Sequence, residues 1–305
     1  MNYVQLAQAI QDYSENTEQL FVANIPRFVQ EAEDRIYNTV QLASLRKNVT
    51  GTMTINNKYI SLPDDWLANY SLAVIDTDGN YEYLLNKDVN FLRQSYPNPN
   101  DAGLPKYYAL FGSQYSNQNE LSLIVAPTPD NSYNVELHYF YYPESIVQGQ
   151  VLQLTNLNAG TLYIDGTYSN VPLSGGSGSG ITVTMTVFLN SVQSVVIDNP
   201  GSMYIAGDVL TVDPSYIGGS GTSFSITVLN ISNASGTSWL GDNYDPVLFY
   251  GAMREAVIFM KGEQDMVTYY ENMFQNAIEQ IKRLGDGLDR GDAYRDGQTK
   301  LMVKT

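Results

Sequence analysis

Residues 245–262, DPVLFYGAMREAVIFMKG, and 263–284, EQDMVTYYENMFQNAIEQIKRL, decide how the chain closes. Asp245 offers a side-chain acceptor at a helix start, and the ring of Pro246 already holds φ near its helical value. Leu248, Ala252, Ala256 and Phe259 then recur every three or four residues as far as Gly262, which is placed to end the helix. In the second segment Met266, Tyr270, Met273, Ala277, Ile281 and Leu284 form one apolar stripe, with Gly285 and Gly287 as its stop. Two such helices joined by a short turn pack antiparallel and still present an apolar face to something else.

Partners for that face stand at the N-terminus. Tyr3, Leu6, Ala7 and Ile10 share one side of a short helix over 3–13, and a longer helical region covers 17–45. Within it Val29, Ala32, Ile36 and Val40 make the stripe, and Pro26 is expected to break or kink the helix because it lacks an amide donor. The two ends of the chain therefore read as halves of one split bundle.

Between them the hydrophobic period changes to two. Residues 50–55 and 58–62 read as strands of a hairpin turning at Asn56-Asn57, and 70–76 and 81–85 as a second one turning at Asp78-Gly79. A short helix over 87–95 ends before Pro97, and strands follow at 106–111, 121–126 and 133–142. From about Val147 the chain turns to Gly, Ser, Thr, Asn and Val, and 148–237 holds four aspartates and no Lys or Arg. Gly160-Thr161-Leu162-Tyr163-Ile164-Asp165-Gly166 is echoed by Gly201-Ser202-Met203-Tyr204-Ile205-Ala206-Gly207, 41 residues later. Gly175-Gly176-Ser177-Gly178 is echoed by Gly218-Gly219-Ser220-Gly221, and an alternating strand follows each cluster. Two copies of a β unit, with glycines where positive φ is needed, describe an inserted all-β module. The fold class is thus α+β: a split helical bundle and an antiparallel β region in 1–147 and 238–305, interrupted by the module at 148–237.

The totals exclude several kinds of function. None of the 305 residues is cysteine, so thiolate metal sites and cysteine nucleophiles are ruled out. A formal charge of −16, with no Lys or Arg between Lys106 and Arg254, argues against a conventional nucleic-acid-binding surface. No run reaches membrane-spanning length, and the first residues lack the pattern of a secretory leader, so a soluble protein made in the cytoplasm is expected. The 24 tyrosines suit broad contact surfaces, because the ring packs while the hydroxyl stays hydrated.

Candidate chemical motifs reduce to structural ones. His138 is the only histidine and lies in an alternating aromatic strand, where packing explains it. Asp76-Thr77-Asp78-Gly79-Asn80 begins like a calcium loop, but Tyr81 and Lys87 occupy the positions needing glycine and glutamate. Gly176-Ser177-Gly178-Ser179-Gly180 imitates a phosphate loop, yet a strand follows it rather than a helix. Asp198, Asp208 and Asp213 match no cation loop and read as turn residues, and Asp64-Asp65 before Trp66 reads as an N-cap at a strand-to-helix step. No catalytic residue, cofactor site or metal site is assigned, and the chain is expected not to be an enzyme.

The order of motifs resembles the head-to-tail adaptor proteins of short-tailed phages, the tail tubular protein A-like family. The resemblance runs through Ile25-Pro26-Arg27-Phe28-Val29-Gln30-Glu31-Ala32-Glu33-Asp34-Arg35-Ile36, Leu104-Pro105-Lys106-Tyr107-Tyr108-Ala109-Leu110 and Ala126-Pro127-Thr128-Pro129-Asp130. It continues to Tyr141-Tyr142-Pro143 and resumes at Ser238-Trp239-Leu240 and the helices from Asp245. A minimal adaptor lacks the repeat-containing module. The resemblance implies a structural protein at the virion's head–tail junction, forming a ring of twelve copies between portal and tail nozzle, with DNA passing through its channel without sequence-specific binding. A tail fibre is a further candidate partner. Residues 285–305 then read as an arm, extended or disordered when alone and ordered by a partner through Asp289, Arg290, Tyr294 and Arg295. The alternative reading is a tail-associated glycan-binding or glycan-cleaving protein that uses the module.

Overall fold

The computed structural model describes residues 1–98, 100–112, 121–218 and 221–302, with the backbone alone described at 43, 222 and 284–302. In chain order the first elements are α1 (Tyr3–Ser14), α2 (Gln19–Thr39), β1 (Arg46–Thr52), β2 (Tyr59–Ser61), β3 (Trp66–Ile75), β4 (Tyr81–Tyr83), β5 (Leu85–Asn86) and α3 (Val89–Ser95). Next come β6 (Tyr107–Gly112), β7 (Ser122–Ala126) and β8 (Asn134–Tyr141). The glycine-rich stretch forms β9 (Val151–Thr161), β10 (Gly166–Ser174), β11 (Ser179–Phe188), β12 (Ser191–Ser202), β13 (Val209–Val212) and β14 (Thr222–Ile231). Helices α4 (Trp239–Asn243), α5 (Asp245–Phe259) and α6 (Gln264–Met302) follow. The architecture is α+β. Two compact units divide it: Met1–Val40 with Glu144–Leu284, and Gln41–Pro143 with Gly285–Thr305.

In the first unit α5 sits against both α2 and α6. Gly251 marks the closest approach, since a Cβ there would meet Ala32 of α2 at 2.8 Å and Phe274 of α6 at 3.0 Å. Val29, Ala32, Ile36 and Val40 are buried as the spacing predicts, together with Leu248, Ala252 and Ala256. α1 opens with a capping box, Asn2 accepting from the Gln5 amide while the Gln5 side chain returns the bond, and buries Tyr3, Leu6 and Ile10.

Several expectations about these helices need correction. α2 runs unbroken through Pro26. Proline costs a helix about 3 kcal/mol, and buried Phe21 and Ile25 before it and Phe28 and Val29 after it hold both halves in place. The helix also stops at Thr39, because Ala43–Leu45 form a separate 3-10 turn before β1. Asp245 is the first helical residue of α5 and not its cap, which is Tyr244. The buried stripe of α6 is Tyr270, Phe274, Ile278 and Ile281, whereas Met266 is exposed. Finally, α6 passes through Gly285 and Gly287 to Met302, so the expected extended arm has a helical backbone. A helical glycine costs about 1 kcal/mol but does not forbid the helix. The spacings Asp286 to Arg290 and Asp296 to Lys300 put an acid one turn before a base, the favourable order.

The second unit packs two four-stranded sheets, ordered β1-β8-β3-β4 and β2-β7-β6-β5. Leu72, Val74, Val135 and Leu137 from the first meet Tyr108, Leu123 and Val125 from the second in one core. β7 is buried at all five positions because α3 covers the far side of its sheet, where Leu92 packs with Ala109, Ile124 and Ala126. The Asp78-Gly79 hairpin forms as expected, β3 pairing β4 from Ala73↔Tyr83 to Ile75↔Tyr81. The Asn56-Asn57 hairpin does not. A turn is present, with Asn56 at φ 62°, but β1 pairs β8 while β2 pairs β7 in the other sheet. Met53 explains the divergence: its side chain enters the core and its amide bonds Tyr133 in place of β2.

Candidate functional site

The repeat in the module proves to be an exchange of strands. Its sheet order is β12-β11-β10-β13-β14-β9. Swapping β9 with β12, β10 with β13 and β11 with β14 returns the same order reversed. Each copy's first strand therefore pairs with the other copy's third. The registers agree: Ser179↔Ser202 and Ile181↔Pro200 in one half match Thr222↔Thr161 and Phe224↔Ala159 in the other. Tyr163 and Tyr204 lock the exchange. Each ring is buried against a glycine of the opposite copy, where a Cβ would lie 2.0 Å from Tyr163 at Gly221 and 2.5 Å from Tyr204 at Gly178. The amide of Tyr163 bonds the Asn190 carbonyl at 3.2 Å, and that of Tyr204 bonds the Gly149 carbonyl at 3.0 Å.

One end of the module is seated on α1 and α2. Gln30 donates to the Gln150 side chain at 3.1 Å, and the Tyr3 amide donates to the Gly236 carbonyl at 2.8 Å. Gln148 donates to the Ala234 carbonyl at 2.9 Å, and Asn233 to the Ser145 carbonyl at 2.7 Å, tying together the segments that lead in and out. Glu33 of α2 is the centre of this seat. It accepts from the Ser145 hydroxyl at 2.5 Å and from the Ile146 amide at 2.9 Å. Burial pushes its carboxyl up to about 7 against the lowering effect of those two donors. Burial likewise raises the Tyr3 hydroxyl to about 12. Beside the seat lies a cleft of about 330 Å³, lined by Val4, Ala7 and Pro26 on the helices and by Gln150, Asn199 and Met203 on the module.

Farther along the bundle a charged hub joins three helices. Arg35 of α2 pairs with Glu255 of α5 at 3.3 Å and Glu271 of α6 at 3.1 Å, and Arg254 pairs with both acids. Burial alone would raise the Glu271 carboxyl, but donors from Gln275 and Arg35 and the charges of Arg35 and Arg254 hold it below its usual range. Arg35 also lies over the Phe274 ring, 4.9 Å from its centre. Only the helical spacing hinted at this hub.

The sequence motifs resolve one by one. Asp76 accepts from the amides of Asp78 and Asn80, closing a hairpin turn. The amide and hydroxyl of Ser177 both donate to Asp208, so a carboxylate of the chain itself fills the phosphate-like loop. Asp198 accepts from Asn170 and Thr184, and Asp213 from Ser215, which keeps the three module aspartates on separate duties. Asp64-Asp65 does not start a helix. β3 begins at Trp66, and Asp65 instead accepts from Lys47 at 2.6 Å and Tyr139 at 2.8 Å. No cluster of three or more metal-ligating side chains occurs among the described residues, nor does any helix long and apolar enough to cross a membrane.

His138 has more company than the sequence suggests. Its Nδ1 lies 3.2 Å from the Ser71 hydroxyl and its Nε2 lies 3.2 Å from Glu136, which also accepts from Asn48. These three groups imitate an acyl-transfer triad, but the serine faces Nδ1 and the acid Nε2, the reverse of the working arrangement. Ser71 and His138 sit in register across β3 and β8 and bind those strands together, while Glu136, two residues before His138 on β8, reaches Asn48 of β1. The partner residues proposed from sequence, Asp289, Arg290, Tyr294 and Arg295, fall on the last turns of α6, where side chains lie outside the described residues.

In comparison with known families, the model described as SU10 adaptor protein matches residues 1–171. The match spans α1, α2, the whole 41–143 β region and the module as far as β10. No curated protein sequence matches the chain.

Proposed function

The chain belongs to the SU10 adaptor protein family, and from its coarse role as a phage head-to-tail adaptor we propose the finer one. It forms a ring at the portal vertex, joining portal to tail nozzle, with the DNA channel at its centre and twelve copies as in the tail tubular protein A-like adaptors it resembles. The observation that carries this reading is the match across 171 of 305 residues, which includes α1, α2 and both sheets of the β region. Net charge supports it. At −16 the protein repels a phosphate backbone over about 8 Å at physiological salt, enough to discourage DNA from sticking to a channel wall.

The role is structural and not enzymatic in this reading. The last part of α6 serves as the element that meets a neighbouring protein, through Asp289, Arg290, Tyr294 and Arg295. Positions 290 and 294 are one helical turn apart, so a partner can engage both. Native mass spectrometry of the full chain mixed with purified portal tests the reading. A portal complex carrying one adaptor per portal subunit is expected; a protein that stays monomeric with portal present contradicts it. Arg290→Ala with Tyr294→Ala should remove that complex while leaving the melting temperature unchanged, and intact binding by the double variant would take the role away from α6.

A further inference from the structure

The cleft beside the module's seat has two walls of opposite hydrogen-bonding sense. On the helix side Gln8 and Gln11 stand about one turn apart on α1, and Asn24 and Gln30 line it from α2. Three of these amides spend their nitrogens within the helices. Gln8 donates to Asp12 at 2.8 Å, Gln11 to the Ala7 carbonyl at 3.3 Å and Asn24 to the Leu20 carbonyl at 2.7 Å. An ionised carboxylate and a backbone carbonyl can only accept, so each pairing leaves the side-chain oxygen as the free atom.

The module side presents donors. Asn199 turns its oxygen to the Gly201 amide at 3.0 Å, which leaves its nitrogen. Gln150 is the sharper case, being only 7 % exposed. Its oxygen accepts from Gln30 at 3.1 Å, while its nitrogen meets no acceptor among the described residues and yet is not sealed in the core. A buried amide costs free energy until something accepts from it, and the cleft that Gln150 lines is where that partner can stand. Exposed Val4, Val22 and Met203 line the same cleft, whose volume of about 330 Å³ falls within the range of ligand sites.

We propose that this cleft binds an extended, uncharged peptide segment of another protein. Such a segment carries N–H and C=O groups along both of its edges. Its N–H groups donate to the amide oxygens of α1 and α2, its carbonyls accept from Gln150 and Asn199, and its apolar side chains rest on Val4, Val22 and Met203. Charge and shape select this class of ligand. Arg27, the one charged side chain of the lining among the described residues, pairs with Glu31 at 2.8 Å, so the site carries no net charge to attract a phosphate or a carboxylate. Tyr3, the one ring of that lining, is 4 % exposed, so no aromatic face is offered to a sugar or a base. The strand behind Asn199 is β12, an edge strand bonded to β11 alone among the described strands, along which an extended chain can continue.

A displayed library of short random peptides tests this on the full chain. The library is panned on the wild type and counter-selected against chain carrying Gln8→Ala with Asn24→Ala, two changes that favour the helix and so keep the fold. Enrichment of uncharged peptides is expected. A synthetic copy of the leading peptide should bind the double variant roughly tenfold or more weakly than the wild type, at unchanged melting temperature. Gln150→Glu, assayed at pH 8, keeps the shape of the side chain and replaces its donors by an acceptor, and should weaken binding as much. An empty pool, or one dominated by charged peptides, overturns the peptide site. Full affinity for Gln150→Glu takes the module wall out of the site and overturns it equally. Oligosaccharides that bind the wild type but not the double variant, where no peptide does, would assign the cleft to sugars instead. Binding needs only one copy of the chain, so any of these failures leaves the adaptor reading standing.

Discussion

The two copies within the module share a backbone and differ in what they touch. Gly149 and Asn190 occupy the same left-handed position at φ 63° and 62°, Gly160 and Gly201 at 60° and 63°, and Leu162 and Met203 at 67° and 65°. Buried Tyr163 and Tyr204 play the same part in each. At the ends the correspondence stops. Gln150 and Ser202 lie under α1 and α2, while their counterparts Ser191 and Thr161 are half-buried and exposed. The conserved half of the comparison is what the fold needs, namely the tyrosine, the glycine it rests on and the positive-φ corners. The divergent half follows the neighbours.

Denying the tyrosines their glycines should damage the module most. Gly221→Val and Gly178→Val should each destabilise the module by about 3 kcal/mol or more, since ring and backbone cannot both move aside. Chemical denaturation followed by tyrosine fluorescence reads both, and similar losses are expected from the two. A large loss at one site alone would deny the equivalence of the copies.

The seat on the helices provides the next test. Glu33→Ala leaves the Ile146 amide without its acceptor and opens a cavity, for an expected loss of about 2–3 kcal/mol. The titration of Glu33 sharpens this. Its folded-state value of about 7 lies above the ordinary 4.5, so the native state holds the proton more tightly than the unfolded chain. Its contribution is complete below pH 4.5 and is lost as pH rises towards 7, by an amount on the order of 1–3 kcal/mol. Glu33→Gln should flatten that part of the stability–pH curve and match or exceed the wild type at pH 8. A curve that keeps its slope would take the role from Glu33.

The smallest effect concerns a corner. Ser223 adopts φ 67° where its counterpart Gly180 adopts 82°. Ser223→Gly should therefore stabilise the protein by about 1 kcal/mol, detectable as a small rise in melting temperature.

What was legible in the sequence follows the same division between local and distant causes. The apolar stripes of α2 and α5, the Asp78-Gly79 hairpin and the glycine repeat are written in neighbouring residues. Strand partners are not. Asn56-Asn57 signals a turn correctly, but nothing beside it says that the strands on either side enter different sheets. Likewise the repeat announces two copies without revealing that they exchange their first strands, which depends on Tyr163 finding Gly221 far along the chain. Gly285 and Gly287 each carry a helix penalty of only about 1 kcal/mol, which weakens a helix without ending it, so reading them as a stop ended α6 too soon. Glu33 had no signal. An acid in an amphipathic helix looks solvated until the segment at Ser145 and Ile146 closes over it. Nor did Ser71 beside His138, a neighbour that only the pairing of β3 with β8 supplies.

The adaptor reading meets its most direct test in images of purified portal incubated with the full chain. Class averages along the portal axis should show an added ring of twelve subunits, coaxial with the portal and open at its centre. Averages identical to portal alone, at protein concentrations well above those found in an infected cell, would contradict it.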